Sequence, residues 1–223
     1  SFQAVELLDE IIAVSDGIMV ARGDLGVQIP IENIPEVQKK LIKKCNIAGI
    51  PVITATQMLE SMMKNPRPTR AEATDVANAI LDGTDATMLS GETASGKHPL
   101  RVIETMDKIA RKTEQTLKGK TNHGHIGIKG TNKEYKLTIT DSLSKDVCDT
   151  ARDLEATAII TCTSSGHTAR QIAKHRPLTP IIAVTPNEYE FRKLTLVWGV
   201  RAILIDYPED TDELIEKSLN SLK

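Results

Sequence analysis

The sequence predicts an α/β fold: three βα units of the kind that close into a TIM (β/α)8 barrel, followed by a small open parallel α/β domain. Three observations carry that expectation. Short apolar runs begin at residues 17, 51 and 86, spacings of 34 and 35 residues, which suit parallel strands joined by crossover helices. Each run ends in small polar or acidic residues and leads into an apolar pattern of helical period. After a stretch rich in Gly and Lys, a second alternation of helix and strand signals begins, as expected across a domain boundary.

Taken in order, Val5, Leu7, Leu8, Ile11 and Ile12 read as an amphipathic helix already under way at the first residue. The first strand is predicted over Gly17–Val20. Ile34, Val37, Leu41 and Ile42 form one face of a helix that stops at Gly49. A second strand follows over Pro51–Ala55, then a helix with Ala71, Val76, Ala77 and Ile80 on one face and Gly83 as its stop. The third strand is Ala86–Leu89, and Val102, Ile103, Met106 and Ile109 carry a long helix to about Leu117. Residues 119–136 read as a linker. Beyond it come a helix near Asp141–Leu154, strand Ala158–Thr161, helix Thr168–His175, strand Pro180–Val184, helix Asn187–Val197, strand Val200–Ile205 and helix Thr211–Leu222. Three βα units alone leave a parallel sheet with open edges. Closing it would take about five more units, roughly 170 residues, and would put an active site at the carboxyl ends of the strands. The start at Ser1 and the finish inside a helical pattern lead us to expect a fragment, divided into 1–118, the linker 119–136, and 137–223.

Composition excludes several classes. The 223 residues are 40% hydrophobic, 3% aromatic and 26% charged, a mixture that fits a mixed α/β domain and neither a disordered nor a collagen-like chain. A formal net charge of −2 gives the whole molecule no electrostatic attraction to nucleic acid or to an anionic membrane, so any anion site is local. No run reaches the roughly 18 apolar residues of a membrane span, and no leader opens the chain. Cys45, Cys148 and Cys162 are odd in number and outside metal or CxxC spacing. A reduced, cytoplasmic setting with all three thiols buried is the expectation.

The chemistry concentrates at the strand ends. The first strand runs into Arg22-Gly23-Asp24-Leu25-Gly26. Two glycines let the backbone approach a ligand and expose N–H groups to an anion, and the carboxylate is a hard donor for Mg2+ or Mn2+. A glycine turn whose Asp caps a short helix fits the segment equally well. The second strand ends in Thr54-Ala55-Thr56-Gln57, where a hydroxyl and an amide can orient a carboxylate or pass a proton, although Thr is also an ordinary strand residue. The third ends in Ser90-Gly91-Glu92-Thr93, with a capping box as the plain alternative. The fold brings three such tips together, which weighs more than any one of them. Thr69 is a good N-cap after Asn65-Pro66-Arg67-Pro68, so Arg67 and Arg70 are read as structural, with a subunit contact as the alternative. In the second half Thr163-Ser164-Ser165-Gly166-His167-Thr168 joins a strand to a helix. By spacing alone this is a capped turn before it is a phosphate cradle.

Residues 15–30 (SDGIMVARGDLGVQIP), 51–72 (PVITATQMLESMMKNPRPTRAE) and 75–93 (DVANAILDGTDATMLSGET) resemble the latter part of pyruvate kinase, and TSSGHT, RPLTPIIAVT and Trp198-Gly199-Val200 extend the resemblance through the second half. The resemblance implies the closing part of a catalytic barrel followed by a regulatory domain. It also implies phosphoryl transfer from phosphoenolpyruvate to ADP, giving pyruvate and ATP, with Mg2+ or Mn2+ and K+, in a cytoplasmic homotetramer. Position by position, it implies that Asp24 binds the divalent metal. The amides of Gly23 and Asp24, with the Thr56 hydroxyl, would hold the substrate carboxylate, and Thr56, Ser90 and Glu92 would relay a proton to the enolate. Thr163, Ser164, Ser165, Gly166, His167 and Thr168 would bind a phosphorylated sugar or nucleotide effector. The family's catalytic lysine, second metal carboxylate and K+ ligands have no counterpart in this chain, and Gln28 stands where a Glu is common. His123 and His125 read as solvated. Against the enzyme stands a second expectation: an isolated non-catalytic fragment that keeps an effector-binding and oligomerisation module.

Overall fold

A computed structural model describes residues 2–118, 138–207, 210, 212–213 and 217–218. The chain forms two compact units, Ser1–His123 and Gly124–Lys223, each built around its own parallel sheet. Among the described residues no helix is long and apolar enough to cross a membrane.

The first unit opens with two short helices, α1 (Phe2–Glu6) and α2 (Leu8–Ala13), rather than one. Strand β1 (Ile18–Ala21) then leads into helix α3 (Arg22–Gln28). A helix over Gly23 and Gly26 runs against propensity, and the segment that read as a glycine turn ahead of a short helix is itself the start of that helix. A Cβ on Gly26 would lie 3.3 Å from Ile34 Cδ1, so the missing side chain lets α3 seat closely on the next helix. That helix, α4 (Ile34–Ala48), carries Pro in its first turn and ends at Gly49 with φ 71°, a left-handed stop that glycine adopts without steric cost. Its Leu41, Ile42 and Cys45 pack against Val20 of β1 and Val52 of β2 (Val52–Ala55).

Helix α5 (Arg70–Asp82) starts with a full capping box: Thr69 accepts from the Glu72 amide, and Glu72 accepts from the Thr69 amide. Ser61 also donates to Glu72 through both its amide and its hydroxyl. Partial burial by itself raises the Glu72 pKa, but these donors outweigh it and hold the carboxyl below the ordinary value of 4.5. Gly83 ends α5 at φ 97°. A Cβ there would lie 2.8 Å from Asn46 Nδ2, the group that donates to the Gly83 carbonyl. Strand β3 (Ala86–Met88), the short helix α6 (Gly91–Ala94) and the long helix α7 (Pro99–Lys118) complete the unit. Met58, Leu59, Met62, Val76, Ala79, Val102 and Met106 form its second core. Ala71 and Ile103, expected on the buried faces of α5 and α7, are exposed; Ala79 takes the inner position on α5.

The sheet order is β1-β2-β3, all parallel, with Ala21 opposite Ala55 and Ala55 opposite Met88. All three carboxyl ends therefore finish at one level. Val20 and Val52 point into the helix layer. Met19, Ile53 and Ala86 form a row in register on the alternate face, where Met19 is 51% exposed. A one-sided helix layer over parallel strands with an apolar opposite row is barrel geometry.

In the second unit, α8 (Ile139–Asp153), β4 (Ile159–Cys162), α9 (His167–Ala173), β5 (Ile181–Thr185), α10 (Glu188–Leu194) and β6 (Val200–Leu204) follow the predicted order. The parallel sheet β4-β5-β6 and its helices enclose Cys148, Ile159, Ile172, Ile181, Leu194 and Val197. Thr138 and Asp141 form the capping box of α8, and Asp141 also pairs with Lys174, the two side chains being 1% and 2% exposed. The linker, His123 and His125, and most of the final predicted helix lie outside the described residues.

One cysteine expectation fails. Cys45 and Cys148 are buried but Cys162 is exposed, because β4 alternates buried and exposed positions and Cys162 falls on the outer side. Burial, then the nearby carboxylate of Asp85, pushes the Cys45 thiol up to about 12. Burial, then Asp149, does the same to Cys148, also to about 12. Titration of the native protein with an aromatic disulfide at pH 8 is expected to modify Cys162 alone, with Cys45 and Cys148 reacting only after denaturation. Rapid reaction of a second native thiol would contradict this.

Candidate active site

The strand register places three tips side by side, and hydrogen bonds then tie them together. At the first tip, α3 begins without a pause after β1, with Asp24 in its first turn, where a helix leaves backbone N–H groups without intrahelical acceptors. The Gly23 amide donates to Thr56 Oγ1 at 2.9 Å, so the first and second tips touch at the atoms singled out from sequence. Asp24 is exposed and its carboxylate has no hydrogen-bond or ion-pair partner among the described residues. It caps nothing, so the helix-cap alternative for it fails. It lines a largely apolar cleft of about 670 Å³ bounded by α1, α2, β1 and α3; Thr56 and Ser90 do not line that cleft.

At the second tip Thr56 and Gln57 both have positive φ, 71° and 52°. For side chains with a Cβ, and above all for a β-branched one, this conformation costs about 1–2 kcal/mol per residue. Arg22 compensates it. Its guanidinium donates from Nη2 to the Thr56 carbonyl at 2.6 Å and from Nε to the Ala55 and Thr56 carbonyls at 3.3 and 3.2 Å. Its Nη1 pairs with Asp75 Oδ2 of α5 at 2.5 Å. Sequence reasoning missed both Arg22 and Asp75 as site residues. An arginine beside a glycine and an aspartate at the end of a helix turn carry no local mark of a partnership across 53 positions.

At the third tip the expected capping box does not form, since Ser90 makes no side-chain cap. Glu92 does the holding instead. Only 2% exposed, it accepts from the Ser90 amide at 2.8 Å and from the Leu59 amide at 3.3 Å. The second and third tips are thereby fastened through one buried carboxylate whose two oxygens each take a backbone donor.

Arg67 and Arg70 are exposed. Arg67 lines a shallow cleft of about 480 Å³ with Arg101, Glu104 and Lys108.

In the second unit the loop 163–168 turns from β4 into α9. The Thr163 amide donates to the Val184 carbonyl of β5. Gly166 is the N-cap at φ 68° and makes no side-chain cap. The capped-turn expectation therefore does not hold in its ordinary form. Ser164, Ser165, His167 and Thr168 are exposed and Thr163 is half-buried, with their hydroxyls not spent on capping α9. Arg170 is turned back onto the loop, donating to the Ser165 carbonyl at 3.1 Å and lying 3.5 Å from Glu190.

Asp24 is a hard oxygen donor and fits a divalent cation as one ligand. The described residues contain no group of three or more potential ligands, whereas Mg2+ takes about six oxygens. Asp24 can thus be one corner of a shell that substrate, water or other residues complete.

Comparison with known proteins follows the same division of the chain. Residues 1–103 match the family model described as pyruvate kinase, barrel domain, and residues 141–223 match that described as pyruvate kinase, alpha/beta domain. The chain is similar to the pyruvate kinase of Bacillus licheniformis, 55% identical over 217 residues, covering 97% of this chain and 36% of that protein. It is equally similar to that of Clostridium acetobutylicum, 55% identical over 218 residues, covering 98% of this chain and 45% of the relative. Among solved structures, a pyruvate kinase from Cryptosporidium parvum matches with a TM-score of 0.87 at 41% identity, over 100% of this chain and 44% of that one. The chain therefore spans less than half the length of these relatives.

Proposed function

This chain belongs to the pyruvate kinase family, and from that premise we propose that the protein transfers the phosphoryl group of phosphoenolpyruvate to ADP, giving pyruvate and ATP. The observation that carries the proposal is the Gly23 amide bonded to Thr56 Oγ1 at 2.9 Å, beside Asp24, at the carboxyl ends of parallel strands. In this reading the Asp24 amide and the Thr56 hydroxyl receive the substrate carboxylate, and the Gly23 amide, preset on Thr56 Oγ1, exchanges that acceptor for the carboxylate when substrate arrives. Asp24 would hold Mg2+ or Mn2+, which would supply positive charge to stabilise the developing enolate. Thr56, Ser90 and Glu92 relay a proton through water toward the enolate carbon, and Glu92 also holds the Ser90 amide. K+ and the remaining metal ligands are assigned to no described residue.

The same reading makes residues 1–118 the closing part of the catalytic barrel and 137–223 the regulatory domain, joined by 119–136, in a cytoplasmic homotetramer. In the full-length enzyme Asp24→Asn is expected to lower turnover and apparent Mg2+ affinity together, by about tenfold or more. Unchanged kinetics in a folded variant would refute the ligand role.

The loop 163–168 is proposed to bind a phosphorylated sugar or nucleotide effector through its hydroxyls and backbone amides. Replacing Ser165 and Thr168 by Ala is expected to abolish the effector response while leaving unactivated turnover within about twofold; a response of unaltered size would remove the assignment. The share of the relatives that the chain covers favours a second reading for the 223 residues by themselves: an effector-binding and oligomerisation module without pyruvate formation. Assay of that polypeptide with phosphoenolpyruvate, ADP and Mg2+ decides between the two.

A further inference from the structure

We infer that Arg22 is a positioning residue of the phosphoryl-transfer site, a clamp that keeps the tip of β2 in its positive-φ conformation and thereby fixes the Thr56 hydroxyl on the Gly23 amide. The inference rests on the reading of the Gly23–Thr56 pair as the substrate-carboxylate site.

The argument begins with the backbone. Two consecutive non-glycine residues, Thr56 and Gln57, stand at φ 71° and 52° directly after β2. Unassisted, such a turn relaxes toward negative φ, and relaxation would swing the Thr56 side chain away from β1. Only an interaction outside the turn can hold it. The Thr56 carbonyl receives both Nε and Nη2 of Arg22, at 3.2 and 2.6 Å, and Nε also reaches the Ala55 carbonyl at 3.3 Å. One planar fork thus spans the peptide unit at which the strand becomes the turn.

The guanidinium is itself held on its other side. Nη1 pairs with Asp75 Oδ2, and Nη2 contacts Met58 Sδ at 2.8 Å, a residue with no exposed surface. The Arg22 side chain is 10% exposed, so water competes little for these bonds. The residue following Arg22 is Gly23, whose amide takes Thr56 Oγ1. The start of α3 therefore grips Thr56 twice, by its carbonyl through the Arg22 side chain and by its hydroxyl through the Gly23 backbone. Losing the first grip loosens the second. Lysine cannot replace this fork: a single ammonium presents its donors from one point and cannot span two carbonyls and a carboxylate in a plane.

The consequence is specific to one substrate. On that reading Thr56 and Gly23 meet the carboxylate of phosphoenolpyruvate, so a loosened tip is expected to weaken binding of that substrate and to spare ADP. The test uses the full-length enzyme with Arg22→Gln, Arg22→Lys, Asp75→Asn, Thr56→Ala, and Arg22→Gln combined with Gln57→Gly or with Thr56→Ala. Displacing a binding group costs about ten- to a hundredfold. Arg22→Gln and Arg22→Lys are expected to lower kcat/KM for phosphoenolpyruvate by about that factor, chiefly through KM, with KM for ADP within about twofold. Asp75→Asn is expected to show the same pattern at about threefold.

Gln57→Gly makes positive φ inexpensive and is expected to restore part of the Arg22→Gln loss. In the Thr56→Ala background Arg22→Gln is expected to cost less than about twofold further, because residues acting as one unit are not additive. Hydrogen exchange at the Gly23 amide reads the clamp without any assay of activity: about tenfold faster exchange in Arg22→Gln, slowed again by Gln57→Gly. Should Arg22→Gln fail to fold, Arg22→Lys and Asp75→Asn carry the same comparisons. Equal rises in both KM values, multiplicative losses with Thr56→Ala, or unchanged Gly23 exchange would overturn the inference. Absence of pyruvate formation by the unmodified enzyme would instead overturn the proposed activity, and the exchange measurement would still judge the clamp.

Discussion

Lys174→Met is expected to lower the unfolding free energy of the second unit by about 3–5 kcal/mol, because it removes the ammonium from a buried ion pair. Asp141 and Lys174 are 1% and 2% exposed in their pairing, and Asp141 accepts in addition from the Thr138 amide and hydroxyl at the start of α8. The pair joins the first turn of α8 to the residue that closes α9. Removing the ammonium takes away a large part of the compensation for burying the Asp141 charge. The chain has a single tryptophan, Trp198, under Arg176 at 5.1 Å, so denaturant unfolding followed by its fluorescence reports on this unit. The double variant Lys174→Met, Asp141→Asn is expected to recover part of the loss, since a neutral amide is less costly to bury than a charge that has lost its ammonium. A loss below about 1 kcal/mol in the single variant would mean that solvent reaches the pair and that it behaves like a surface bridge.

Glu92→Ala is the second large effect. It orphans the amides of Ser90 and Leu59 inside the protein, each at about 1–3 kcal/mol, so the first unit is expected to lose about 2–6 kcal/mol. Glu92→Gln is expected to lose less, because its carbonyl oxygen still accepts one of the two amides while its NH2 faces the other. Thermal unfolding followed by far-ultraviolet circular dichroism gives both values, and under the proposed activity phosphoryl-transfer assays of the full-length variants are expected to rank them in the same order. If Glu92→Ala unfolds within about 1 kcal/mol of the unmodified protein, water must enter to satisfy both amides, and Glu92 then does not fasten the second tip to the third.

Much of this molecule is legible along the chain. The strands at residues 17, 51 and 86 begin within a residue of those observed, and the Gly49 and Gly83 stops and the Thr69 cap lie where local rules put them. The candidate tips Asp24, Thr56 and Ser90 also stand at one end of one sheet. Other features were not legible. The glycines at 23 and 26 read as a turn, yet the segment is helical, because close packing on Ile34 outweighs the weak helix propensity of glycine. Helical period alone put Ile103 inside, but α7 is a long helix with only a narrow buried stripe, and period does not give the width of a stripe. Strand alternation likewise hid the exposure of Cys162, since a short strand offers no second turn of evidence for which face is inward.

What the sequence determined by itself is the order of elements, their caps and stops, and which residue types stand at the strand ends. These depend on hydrogen bonds and side-chain periods closed within a few residues. The tertiary structure alone decided the partnerships: Arg22 on the Thr56 carbonyl and Asp75, Glu92 on the Leu59 amide, Lys174 on Asp141. Each joins groups 30 or more positions apart. Such a bond exists only after the sheet register and helix packing have set two backbones at bonding distance, and no pattern within one segment encodes that distance.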